Sequence, residues 1–213
     1  MLEKVFERLS FKSFIKNCSI IIFMIYTISG SAGSGKSTVA KIILEKLNAK
    51  RVYVGGIRRE LARSKGMTLE ELNIYGQEHP ETDVDVDKAA AAKARELSLE
   101  GNNVVVEGRV MYHFLPESKK IYLKTDVGVA AKRIYKEMQN EEAKAKRNEG
   151  DHKSVEDLEK SIMRREESDA GRYKKYYDID HRVESQYDYV LDTTHLSVSQ
   201  VVEKVMEFIE SQV

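Results

Sequence analysis

The chain has 213 residues, enough for one sizeable core with small appended lobes and too few for several large domains. Its 35 Lys and Arg balance 35 Asp and Glu, which excludes a global field able to hold nucleic acid or an anionic membrane. The single cysteine, Cys18, excludes an internal disulfide and any multi-cysteine zinc site, and fits a reducing cytoplasm. The five histidines (His79, His113, His152, His181 and His195) show no ligand spacing and read as surface or packing residues.

In chain order, residues 1–23 come first. Lys4, Arg8, Lys12 and Lys16 precede an apolar run, a pattern that resembles a secretory signal. The run Cys18–Ile28 is too short to span a bilayer, so no stable membrane insertion is expected. Cleavage behind it would also remove the strand that leads into the next motif. Leu2, Val5, Phe6 and Leu9 fall at helical spacing, as in an amphipathic helix that packs on the domain, on a partner or on a membrane surface. Met24 is an alternative start of the chain.

The run Ile25–Ser29 reads as a strand, and directly behind it stands Gly30-Ser31-Ala32-Gly33-Ser34-Gly35-Lys36-Ser37-Thr38. This is a complete G-x-x-x-x-G-K-S loop. Its glycines let backbone N–H groups turn inward around a polyphosphate, Lys36 reaches the β- and γ-phosphates, and the Ser37 hydroxyl suits Mg²⁺. Val39 to Leu44 continue as a helix whose positive end faces the same anion. The motif predicts a site for ATP or GTP, and the absence of an N-K-x-D guanine-reading motif argues against a GTPase switch.

Further β-rich runs at Arg51–Val54, Val104–Glu107, Ile121–Leu123 and Tyr187–Leu191 alternate with helical stretches, the pattern of a mostly parallel sheet covered on both faces. Val104–Val106 and Tyr189–Leu191 are apolar enough to be strands buried on both sides. Residues 57–99 read as mostly helical, with breaks near Gly66 and at His79-Pro80. Residues 137–159 are dense in Lys and Glu; composition makes them a solvated helical face, and position makes them a candidate lid. The last helix starts near Ser197, which with Gln200 has capping-box spacing.

Phosphoryl transfer between two polyanions needs arginines around the reacting point. Arg59, Arg109, Arg133, Arg165 and Arg172 are the candidates. At about 100° per residue, Arg165, Asp169 and Arg172 lie within about 60° of one another on a helix, so one face presents two guanidinium groups around a carboxylate. An exposed i,i+4 salt bridge is the equal alternative. Glu107 and Arg109 close the Val104–Val106 run, at the strand end where α/β sheets collect ligands. Glu107 is therefore a candidate for holding hydrated Mg²⁺ and Arg109 for an acceptor phosphate.

These residues resemble the archaeal-type cytidylate kinases, in the nucleoside monophosphate kinase group. The resemblance rests on Gly30–Thr38, Gly55–Ala62, Gly66–Glu71, Val106-Glu107-Gly108-Arg109, Arg165–Ser168 and Arg172-Tyr173, and it runs from Met24 to the C-terminus. It implies an α/β, three-layer phosphate-loop fold with a five-stranded parallel sheet, a monophosphate-binding lobe at 57–99 and a lid at 137–159. It also implies transfer of the ATP γ-phosphate to CMP and dCMP with Mg²⁺, by a monomer whose partner is its nucleotide substrate. Arg59 and Arg109 would hold the acceptor phosphate, Arg165 and Arg172 would bridge acceptor and transferred phosphoryl, Asp169 would touch the acceptor nucleoside, and Arg133 would reach the ATP base or phosphates. The chain departs from the family in a longer lid segment, in Arg58 at a usually apolar position and in residues 1–23. An adenylate kinase or another small-molecule kinase on the same loop stays open as an alternative, as does a nucleotide-operated switch or assembly factor.

Overall fold

The computed structural model describes residues 23–148 and 152–212, so the expectations for residues 1–22 lie outside the described residues. The chain runs β1 (Ile25–Gly30), α1 (Lys36–Leu47), β2 (Lys50–Tyr53), α2 (Val54–Ser64), α3 (Leu69–Tyr75) and α4 (Glu81–Leu99). It continues with β3 (Val104–Glu107), α5 (Met111–Phe114), β4 (Lys119–Lys124), α6 (Val127–Glu137), α7 (Glu141–Arg147), α8 (Val155–Tyr177), a 3₁₀ turn at Glu184–Gln186, β5 (Tyr189–Asp192) and α9 (Val198–Glu210).

The five strands form one parallel sheet in the order β2-β3-β1-β4-β5. Strand alternation sends side chains to two cores. Tyr26, Ile28, Val105, Ile121 and Leu123 pack with Ile43 of α1 and Val205 of α9. Ile25, Val52, Val104 and Val106 pack with Ala90, Ala91 and Ala94 of α4 and with Met111. Because β1 is central and chain connections leave it on both sides, the carboxyl ends of β1, β3 and β4 form a crevice at the switch point.

Several boundaries differ from expectation, and β4 runs Lys119–Lys124 rather than Ile121–Leu123. The second strand stops at Tyr53, and Val54 already opens α2, three residues before the expected start. Gly55-Gly56 lies within this helix, with the Tyr53 ring against it. A Cβ on Gly56 would meet Tyr53 Cδ1 at 2.6 Å. The last strand begins at Tyr189 rather than Tyr187 and is half-buried rather than enclosed, since it pairs with β4 alone and forms a sheet edge. The capping box at Ser197 forms as expected: Ser197 N–H donates to Gln200 Oε1 at 2.9 Å and Gln200 N–H to Ser197 Oγ at 3.3 Å.

Helix α2 buries Val54, Arg58 and Ala62, an i,i+4 stripe with a charge at its centre. Arg58 pairs with Asp83 of α4 and also donates to Thr82 O at 3.0 Å and to Asn73 Oδ1 of α3 at 3.0 Å. The stripe is closed by an ion pair where an apolar contact was expected. That pairing is what makes the buried guanidinium tolerable.

Candidate active site

The loop after β1 is fixed by backbone contacts. Gly30 adopts φ +139°, and a Cβ there would lie 1.9 Å from Leu123 O, so only glycine lets the loop leave β1 against β4. Ser31 N–H donates to Leu123 O at 3.1 Å, and Ser31 Oγ accepts from Thr125 N–H at 3.1 Å. Ser34 Oγ donates to Ser31 O at 2.9 Å. Gly35 precedes α1 with no side-chain cap, so the first-turn amides, including those of Ser37 and Thr38, face the crevice mouth without intrahelical partners.

The Lys36 ammonium donates to Gly30 O at 2.8 Å and Ser31 O at 2.5 Å. Burial, then the neighbouring Arg109 charge, lowers its pKa to about 7 against the opposing pull of Glu166 and Glu107. An anion in the cradle would reverse that shift.

Three of the expected arginines converge on one carboxylate. Asp169 is 3.1 Å from Arg109 Nη1 and 3.8 Å from Arg165 Nε, and its other oxygen accepts from Arg172 Nη2 at 2.5 Å. Burial alone would raise the Asp169 carboxyl, but Arg109, Arg172 and Arg165 outweigh it and bring it to about 2. The helical spacing of Arg165, Asp169 and Arg172 therefore yields a buried cluster on α8, which departs from the exposed-pair alternative. Arg109 reaches the cluster because Gly108 is bound to the end of β1 on both sides: Gly108 N–H donates to Ile28 O at 3.3 Å and Gly108 O accepts from Ser29 Oγ at 2.9 Å.

The two α8 arginines differ. Arg165 lines a cavity of about 280 Å³ beside Ala32, together with Asn73, Gln77, Ser168 and Ile134. Arg172 is 2% exposed and donates to Asp83 Oδ2 at 2.8 Å, Asn73 O at 3.2 Å and Ser168 Oγ at 2.9 Å as well as to Asp169. Its guanidinium is enclosed by protein acceptors, where the sequence suggested one open to phosphate.

Arg59 is held by other partners. It donates to Tyr53 OH at 2.8 Å, Gly55 O at 3.0 Å and, from Nε, to Arg147 O at 2.7 Å at the end of α7. Arg133 of α6 reaches Gly33 O at 3.5 Å, Thr125 Oγ1 at 3.3 Å and Thr193 O at 2.7 Å, so it ties the exits of β4 and β5 to the glycine-rich loop. Glu107 stands opposite Ile28 in the sheet register and is buried; Arg51 holds its Oε1 through Nε at 2.7 Å and through Nη2.

Sequence reasoning passed over several participants. Glu166 sits between Ala32 and Arg109, and His181, read as scattered, is 1% exposed beside it. Asp83, Asn73 and Arg51 were also missed. The available signal was the stripe: a charged residue at a buried helical position demands a buried opposite charge. Among the described residues no helix is long and apolar enough to cross a membrane.

Comparison with known proteins bears on the family and the fold. A family model described as AAA domain matches residues 27–163. The chain is 39% identical to the cytidylate kinase of Methanothrix thermoacetophila over 80% of this chain and 88% of that one. It is 37% identical to the cytidylate kinase of Archaeoglobus fulgidus over 86% of this chain and 93% of that one. Among solved structures, shikimate kinase from Bacteroides thetaiotaomicron matches with TM-score 0.53 at 17% identity, covering 88% of this chain and 98% of that one, a likeness of fold alone. With the phosphate loop, the parallel sheet and the arginine cluster in place, the relatives fix the family: the chain belongs to the cytidylate kinases, nucleoside monophosphate kinases of the phosphate-loop fold.

Proposed function

We propose that the protein transfers the γ-phosphoryl group of ATP to CMP and dCMP, giving ADP and the corresponding diphosphate, as a cytoplasmic monomer. One observation carries the reading. Arg109, Arg165 and Arg172 meet at Asp169, and Arg109 is joined through Glu166 to the amide of Ala32 in the phosphate loop. Cationic groups thus adjoin a triphosphate cradle, as transfer to a second anion requires.

In this scheme the loop amides and Lys36 hold the β- and γ-phosphates. Arg109 and Arg165 take the acceptor phosphate and the migrating group, and Arg172 fixes Asp169 between them. Arg133 lies on the donor side, beside the Thr193 and Thr194 carbonyls. The cavity flanked by Gln77 and Arg165 suits the acceptor nucleoside. No general base is needed, because the acceptor is already an anion.

The residues fit Mg²⁺, which keeps most of its waters and needs few protein ligands. Ser37, at the first turn of α1, would hold the ion directly. Glu107 would hold it through water, since both bonds from Arg51 fall on Oε1. Held there with ATP, the ion would supply neutralisation of phosphate charge.

Residues 57–99 act as the acceptor lobe and 137–159 as the lid. Arg63 Nη2 donates to Ala145 O at 3.1 Å and Leu69 N–H to Asn148 O at 2.9 Å, contacts that support closure of one on the other. Closure would exclude the water that competes as acceptor.

Turnover of ATP against CMP, dCMP, UMP and AMP tests the reading. CMP is expected to be preferred; preference for AMP moves the assignment to adenylate kinase, and ATP loss without a phosphorylated acceptor moves it to a switch. Lys36→Ala and Arg165→Ala are each expected to lower kcat by roughly 10³-fold or more.

A further inference from the structure

Glu166 has an unusual place for a carboxylate. Its Oε1 accepts from the Ala32 N–H of the phosphate loop at 3.2 Å, and its Oε2 accepts from Arg109 Nη1 at 2.7 Å. The same Oε2 lies 3.4 Å from Nε2 of the buried His181. An anion so near a triphosphate cradle opposes ATP binding unless it is neutralised. Arg109 does this: burial would raise the Glu166 carboxyl, and Arg109, with the His181 ring beside it, instead holds it well below the usual carboxylate range.

The bridge also completes a line of alternating charge. From the acceptor side it runs Arg58, Asp83, Arg172, Asp169, Arg109, Glu166 and then the backbone of Ala32. Every link before Glu166 joins residues of the acceptor side to one another. Glu166 is the link that reaches the donor loop.

We propose that Glu166 is a positioning residue that fixes the Arg109 guanidinium relative to the phosphate loop, and so sets the distance between acceptor and donor phosphates. The inference rests on the kinase reading above. In-line transfer is sensitive to placement, and a displacement of about 1 Å costs roughly 10²-fold in rate. Asp169 remains to hold Arg109 when Glu166 is changed, so the guanidinium stays buried and paired but loses its reference to Ala32.

Glu166→Gln keeps shape and the ability to accept from Ala32 N–H while losing the charge that holds Arg109. The expected result is a fall in kcat of roughly 10²-fold with KM for ATP within about twofold and unchanged circular dichroism. Arg109→Ala, and the double variant Glu166→Gln with Arg109→Ala, complete a cycle. If Glu166 acts through Arg109, the double variant is no slower than Arg109→Ala. A kcat within about threefold of the unaltered protein, multiplicative losses in the cycle, or a loss carried wholly by KM for ATP each overturn the proposal. Glu167→Gln, next in the chain but exposed and paired with Arg182, is the control and should keep full turnover. Should Glu166→Gln fail to fold, Glu166→Asp, whose shorter arm cannot span both partners, takes its place with the same readings. Absence of transfer in the unaltered protein would sink the kinase reading itself, whereas full activity of Glu166→Gln sinks only this proposal.

Discussion

Lys36 rests on the Gly30 and Ser31 carbonyls with its pKa drawn down to about 7 by burial and Arg109. At pH 8 much of it is therefore neutral, and a bound polyphosphate restores the charge. The free protein has the lower pKa, so ATP binding takes up protons above pH 7 and affinity falls as pH rises. Calorimetry in buffers of different ionisation enthalpy should read an uptake approaching about one proton per ATP near pH 8–9, and none in Lys36→Met. Asp87 shows the opposite sign. Burial pushes its carboxyl up to about 7, although the Tyr177 hydroxyl donates to it at 2.8 Å. The folded state binds the extra proton, so this residue's contribution to stability is lost as pH rises from about 4 to 7. Asp87→Asn keeps an acceptor for Tyr177 and should raise Tm more at pH 8 than at pH 5, by about 2–4 °C for each kcal/mol released.

At the scale of elements, helix periodicity and loop chemistry made most of the site legible. The phosphate loop, the Ser197 cap and the Arg165–Asp169–Arg172 face follow from spacing alone, because each depends on residues within a turn or two of one another. What spacing does not carry is the partner across the fold. Arg58 is an anomaly in its own helix and makes sense only when Asp83 of α4 and Asn73 of α3 are beside it. Likewise Glu166 shares the α8 face that the sequence picked out, yet its role depends on Ala32, 134 positions away. Arg172 was recognised as important but assigned outward. Its burial depends on how α3 and α4 pack over α8, which no local pattern records.

For the whole molecule, the alternation of strands and helices gave the parallel sheet, while strand order was beyond it. The half-buried β5 illustrates the limit: Tyr189-Val190-Leu191 is apolar enough for a central strand and sits at an edge. The contact between α7 and the acceptor lobe is another feature set by global arrangement. Asn148, at φ 49°, ends α7 in the left-handed region, accepts from Leu69 N–H at 2.9 Å and donates from Nδ2 to Met67 O at 3.2 Å. Asn148→Gly keeps that conformation and removes one bond, so it should leave kcat within a few-fold. Asn148→Val strains the turn and should lower kcat and raise KM for CMP together, as steady-state kinetics would show.

The acceptors along this seam, at Ala145, Arg147 and Asn148, are main-chain oxygens. A contact of that kind reads the path of the chain and is blind to what hangs from it. Exchanging one charged surface residue of α7 for another therefore leaves every acceptor where it was, while a single inserted or deleted residue shifts them all out of reach. The stretch that looked least informative as a string of letters is thus held in length by these three oxygens, whatever its side chains add.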